Sequence, residues 1–222
     1  KGEVGFALGD SVAFAWAGNE EAGFKAKLDK LRGLSAIYPN YIQIVASKES
    51  GIKTLADLKG KRLSVGAPKS GTELNARAIL GAAGIQYSDL GKVEYLPFAE
   101  SVELMKNRQL DATGQSAGLG VAAIRDLASA VEITVVEIPA AIVDKVGAPY
   151  GKAAIPAKTY TGQDADVATA TVVNYLVTRA TLSDDIVYGM TKSMFESLPE
   201  LAAAHSAGKG IKLEGALAEL DA

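Results

Sequence analysis

Apolar residues fall in short runs that alternate with stretches of helical periodicity, the arrangement expected of strands and helices in turn. Val4-Gly5-Phe6-Ala7-Leu8 predicts a strand that passes through Gly9 into a helix ending near Ala17, with Asp10 or Ser11 as its cap. Residues 34–38 and 41–45 form a β-rich stretch interrupted only by Pro39-Asn40, long enough to cross from one lobe to another. Lys48-Glu49-Ser50-Gly51 closes it with turn residues, and residues 54–60 read as one capped helical turn. Residues 62–66 are a buried strand. Leu74, Ala78, Ile79 and Ala82 then share one face of a helix over 72–83, which Gly84 stops.

The order repeats downstream: strand 93–96, helix 101–108, strand 112–115, helix 121–128, strand 132–138. Such alternation predicts an α/β fold with a mainly parallel sheet. Residues 150–168 turn to Gly, Pro, Thr and Asp without periodicity and read as irregular connection, followed by a second long β-rich segment over 171–177. Ser183 is placed to cap a helix that opens with Asp184-Asp185 and carries Ile186, Val187, Met190 and Met194 inward. Residues 200–222 are helical in pattern and fray at Gly208, Gly210 and Gly215.

Composition narrows the function classes. With 222 residues, 48% of them hydrophobic, the chain buries a sizeable core. A net charge of −3 and no run of five basic residues leave no nucleic-acid footprint. No apolar stretch approaches the roughly 20 residues of a spanning helix. Zero cysteines exclude disulfides, thiolate metal sites and cysteine nucleophiles. The one histidine, His205, follows Leu201-Ala202-Ala203-Ala204 and reads as an ordinary helical residue with no second imidazole to work with. HExxH and GxxxxGK[ST] are missing, and adjacent Asp184 and Asp185 do not face each other, so no catalytic residue, metal or cofactor is expected.

Two loops carry the recognisable binding chemistry. Ser70-Gly71-Thr72-Glu73 lies between a strand and an amphipathic helix, with the S-x-x-E spacing of a capping box. Gly71 permits close approach of a ligand to the backbone, and free N–H groups at the helix start favour a carboxylate or phosphate; the same residues also make a plain cap with no ligand. Gln115-Ser116-Ala117-Gly118-Leu119-Gly120, read as a second strand-to-helix loop, offers an amide and a hydroxyl. Ligands of open α/β sheets bind beyond the carboxyl ends of the strands, where both loops fall. Tyr38, beside Pro39, has a ring and hydroxyl for a ligand or for packing, and Asp10 and Ser11 either face a cleft or cap a helix.

The ordered set Leu55-Ala56-Asp57-Leu58-Lys59-Gly60-Lys61-Arg62-Leu63-Ser64-Val65-Gly66-Ala67-Pro68, Ser70-Gly71-Thr72-Glu73 and Asn75-Ala76-Arg77 resembles the signature of the TAXI branch of TRAP-transporter solute-binding proteins. Ile37-Tyr38-Pro39, Phe98-Ala99-Glu100-Ser101, Gln115-Ser116-Ala117-Gly118 and Asp184-Asp185-Ile186-Val187-Tyr188 are similar to it as well. The resemblance implies a periplasmic-binding-protein type II fold, two α/β lobes joined by crossing hinge strands, with residues 1–45 and 172–222 in lobe I and 46–171 in lobe II. It also implies a periplasmic receptor, neither catalytic nor membrane-spanning, that captures a small organic anion such as glutamate and delivers it to a TRAP-type membrane permease. Relatives usually begin earlier, with a signal peptide and a further strand, turn and helix of lobe I, and more often carry glycine where this chain has Lys69. The alternative on the same fold is the effector domain of a transcription regulator or a signalling receptor, for which no helix-turn-helix or basic face is present.

Overall fold

The structure is a computed structural model and describes residues 3–217 and 220. The chain divides into two compact units, Lys1–Asn40 with Val172–Ala222, and Tyr41–Thr171.

In the first unit β1 (Val4–Leu8) leads directly into α1 (Gly9–Ala17). The N-cap of α1 is Leu8, so neither Asp10 nor Ser11 caps the helix. Asp10 is instead fully buried in the first turn, where its Oδ1 accepts from the amide of Ser11 at 2.7 Å. A carboxylate is well placed there by the partial positive charge of the helix start. The long strand β2 (Leu31–Ser47) runs unbroken through Pro39-Asn40, contrary to the interruption expected at that pair. Proline costs a strand one donor, not its extended backbone.

The second unit starts within β2 and adds β3 (Arg62–Ser64), α2 (Gly71–Ala82), β4 (Lys92–Glu94), α3 (Phe98–Lys106), β5 (Ala112–Ala117), α4 (Ala122–Ala130), β6 (Ile133–Val136), α5 (Ala140–Val146) and β7 (Tyr150–Ile155). Strands β4, β3 and β5 are parallel neighbours. β2 is antiparallel to both β5 and β6, so the sheet is mixed and the mainly parallel expectation is corrected. Two elements went unread in the sequence. Helix α5 is short, and β7 lies in the stretch taken as irregular, where its residues alternate too weakly between buried and exposed for a pattern to show.

Alternation along β2 sends Ile42, Ile44 and Ala46 into a core with Leu63, Ile79, Leu80 and Val136. Val45 points into another core with Val102, Met105, Ile124 and Leu127. Apolar residues on both faces of these strands produce the continuous apolar runs seen in the sequence. Burying each such side chain stabilises the unit by about 1.5–3 kcal/mol.

β8 (Val167–Arg179) returns to the first unit, where it pairs antiparallel with β1 from Val4↔Thr178 to Leu8↔Asn174. Ala36, Tyr175 and Val177 form the small core there, with Ala7, Val12 and Leu31 packed on it. α6 (Asp184–Glu196) begins after Ser183 as expected, without a side-chain cap bond. None of its residues is fully buried; Val187, Met190 and Met194 are half-buried, and Ile186, expected to point inward, is instead 51% exposed. α7 (Leu198–Ala204) ends at His205, which is extended and not helical; its Nδ1 accepts from the amide of Ala207 at 3.1 Å. Of the helical reading over 200–222, residues 218, 219, 221 and 222 lie outside the described residues. No helix among the described residues is long and apolar enough to cross a membrane.

Candidate functional site

Because β3, β4 and β5 run parallel, their carboxyl ends lie at one edge of the sheet, and each feeds a helix from that edge: α2, α3 and α4. At the first of these crossings Gly66 takes φ 99°, a conformation glycine adopts without steric cost. A Cβ at Gly66 would sit 2.7 Å from the side chain of Thr72, so the loop folds directly against the first turn of α2. Lys69 also has positive φ, 61°, which accounts physically for glycine being the easier residue there. Ser70 is the N-cap, and its Oγ accepts from the amide of Glu73 at 3.2 Å.

Only half of the expected capping box forms. The amide of Ser70 goes to the carbonyl of Ala67, and the Glu73 carboxylate turns away. Glu73 Oε1 accepts from Arg77 Nη2 at 2.5 Å, Arg77 Nε at 3.1 Å and the Tyr87 hydroxyl at 3.1 Å. The Arg77 guanidinium lies 5.3 Å from the centre of the Tyr87 ring, which meets Tyr95 edge-on. Burial, and then the adjoining carboxylate, push the Tyr87 hydroxyl far up, so it remains a donor to Glu73. Glu73 therefore fastens α2 in place and leaves its start to the backbone. The amides of Gly71 and Thr72 have no intrahelical acceptor, as at any helix start.

The first three residues of the second candidate segment are strand, and only the rest is loop. Gln115, Ser116 and Ala117 pair with Gln43, Ile42 and Tyr41 on β2, and the connecting turn comes only at residues 118–121. The misreading followed from polar side chains, which ordinarily mark a turn. Here they form a buried polar seam that the sequence reading missed. Gln43 Nε2 donates to the carbonyls of Ala117 at 3.2 Å and Gly118 at 3.5 Å. Its Oε1 accepts from Tyr160, whose hydroxyl in turn takes the amide of Gly120 at 3.2 Å. Burial, as the largest cause, pushes the Tyr160 hydroxyl up to about 12. Near the start of α3, Ser101 donates to the carbonyl of Pro97 at 3.0 Å, and its Oγ lies 2.7 Å from Ser64 Oγ. A glutamine flanked by Ile42 and Ile44 is the signal that points to this seam, because a polar residue in a buried strand needs partners.

Ser70 to Glu73 and Gln115 to Ala117 thus belong to one unit, while Tyr38, Asp10 and Ser11 belong to the other. Tyr38 is half-buried, and its carbonyl accepts from Asn174 Nδ2 at 3.0 Å. A cavity of about 810 Å³ lies at the opposite end of β3 and β5, around Arg62, Arg108 and Asp111. Its cations are already engaged: Arg62 with Asp111 at 2.6 Å, Arg108 with Glu49 at 3.3 Å and Lys48 with Glu132 at 3.6 Å. The helix starts, not this cavity, have unengaged donors to offer. No cluster of metal-ligating side chains occurs among the described residues.

The fold is that of periplasmic substrate-binding proteins of type II. The periplasmic aliphatic sulphonate binding protein SsuA of Escherichia coli matches at 15% identity and a TM-score of 0.51, over 95% of this chain and 62% of that one. The alkanesulfonate-binding protein SsuA of Xanthomonas axonopodis pv. citri, bound to MOPS, matches at 15% identity and 0.51, over 99% and 65%. A protein of Bordetella bronchiseptica matches at 18% identity and 0.54, over 99% and 62%. The chain spans less than two thirds of the length of each. Within this class the chain belongs to the NMT1-like family, whose profile matches residues 1–221.

Proposed function

We propose that this protein is the solute-binding receptor of a membrane transport system, not an enzyme, and that its solute is a small organic anion. The observation that carries the reading is the start of α2: Ser70 spends its side chain on the amide of Glu73, Glu73 is drawn off to Arg77 and Tyr87, and the amides of Gly71 and Thr72 are left for a ligand. The anion is held there by backbone dipoles, with Lys69 on the rim. Two proteins of the same fold are named for binding sulfonates, which are organic anions too. The resemblance to TAXI proteins favours a carboxylate or a glutamate-like amino acid as the solute, a TRAP-type permease as the partner and the periplasm as the compartment.

A thermal-shift screen of the full chain against amino acids, mono- and dicarboxylates and alkanesulfonates tests the solute class. Mass action raises the melting temperature for a true ligand, and a flat response to every organic anion would overturn the reading. Ser70→Asp tests the site itself. Aspartate caps as well as serine, so the helix survives, while its charge repels an anion beside it. Affinity for the selected anion is expected to fall at least about tenfold, equivalent to roughly 1.4 kcal/mol. Unchanged affinity in calorimetry would place the anion elsewhere.

A further inference from the structure

The polar seam under α3 and α4 contains more hydrogen-bonding capacity than the protein satisfies. Thr113 and Gln115 are both fully buried, and Thr113 Oγ1, Gln115 Nε2 and Gln115 Oε1 have no hydrogen-bond partner among the described residues. Two positions apart on β5, the two side chains emerge from the same face of the sheet, their Cα atoms about 7 Å from one another. Ser64 is aligned with Thr113 on one side, and Gln43 is aligned with Gln115 on the other. Neither neighbour closes the gap. Gln43 is committed to Ala117, Gly118 and Tyr160, and Ser64 is paired with Ser101.

We propose that this seam is an internal hydration site, in which at least one long-lived water bridges Thr113 Oγ1 and the Gln115 carboxamide. The chemistry is complementary. The carboxamide supplies one donor edge and one acceptor edge, the threonine hydroxyl supplies both, and a buried water takes two to four such partners. A dry arrangement leaves the full desolvation cost of three polar atoms uncompensated in the central strand of the unit. The two side chains do not hydrogen-bond each other, and a bridging water satisfies both. The hydration site does not depend on the solute reading.

The test is magnetic-resonance detection of bound water in the full chain without added solute. Nuclear Overhauser cross-peaks of water sign, from a water of long residence, are expected at the Gln115 side-chain amide protons and the Thr113 amide. Thr113→Val and Gln115→Met keep shape and remove the polar atoms; each is expected to abolish the cross-peaks and to lower the melting temperature by about 2–4 °C. The double variant costs less than the sum, because both residues hold the same water. Thr113→Ser, which keeps the hydroxyl, retains the cross-peaks. Absence of the cross-peaks in the unsubstituted protein overturns the proposal whatever the variants do to stability. So does their persistence in both apolar variants, or a rise in melting temperature, the mark of a dry and unsatisfied pair.

Discussion

In Tyr41–Thr171 the central strands carry apolar residues on both faces, packed by α2 and α5 on one and α3 and α4 on the other. In Lys1–Asn40 with Val172–Ala222 the core is small, and α6, as amphipathic by pattern as α3, buries none of its residues. Of the large exposed apolar side chains described, all but Tyr95 lie in this first unit, among them Phe6, Trp16, Tyr188 and Leu217. The difference teaches that amphipathic periodicity reports which face of a helix is apolar, and burial reports whether anything packs on it. The start of α2, where the anion is proposed to bind, is attached to the larger of these cores.

The sharpest way to break the comparison is a matched truncation. Ile79→Ala, in the buried face of α2, is expected to cost about 2–5 kcal/mol in urea denaturation. Ile186→Ala on α6 is expected to stay within about 0.5 kcal/mol. Equal costs would show that the units are equally well packed. Gly66→Ala puts a Cβ into positive φ, worth about 1–2 kcal/mol, and against Thr72; both stability and anion affinity are expected to drop.

Acid sensitivity sharpens the picture of the second unit. Asp111 accepts from the Arg62 side chain and amide, and that pairing, chiefly the side-chain bond, holds its carboxyl below the usual range. The folded value lies below the unfolded one, so this contribution is complete above about pH 4 and is lost as pH falls through the folded value. Asp111→Asn is expected to lower stability at neutral pH and to flatten the acid limb below about pH 4. An unaltered acid limb would assign acid sensitivity to other carboxylates. A small effect, of opposite sign, is expected at Lys69. Lys69→Gly relieves positive φ and is expected to stabilise by about 0.5–1 kcal/mol, with a modest loss of anion affinity if the ammonium contributes to the rim.

Much of this architecture was legible from residue order. The strands at 4–8 and 62–64, the beginning of the strand at 112, the helix after Ser70 and its stop near Gly84 follow from apolar runs, strand–helix alternation, a cap and a left-handed glycine, all of them local signals. The start of α2, with its cap at Ser70, was legible for the same reason. The buried seam was not, because Gln43, Thr113 and Gln115 look like ordinary strand or turn residues until strand pairing sets them side by side. Neither was the true employment of Glu73. Four residues of helix and a tyrosine fourteen positions away bring Arg77 and Tyr87 to its carboxylate, and the capping box it was expected to close remains half made.

The sequence by itself determined the α/β alternation, the cap at Ser70 and the lack of cysteine or paired-histidine chemistry, since each depends on neighbours a few positions apart. Only the tertiary structure decided that the sheet is mixed, that Ser116 and Ala117 are ladder residues, that Asp10 is buried and that Ile186 on α6 is exposed. Those outcomes depend on which distant segments meet, and a buried polar or exposed apolar side chain acquires its energy from that meeting, not from its place in the chain.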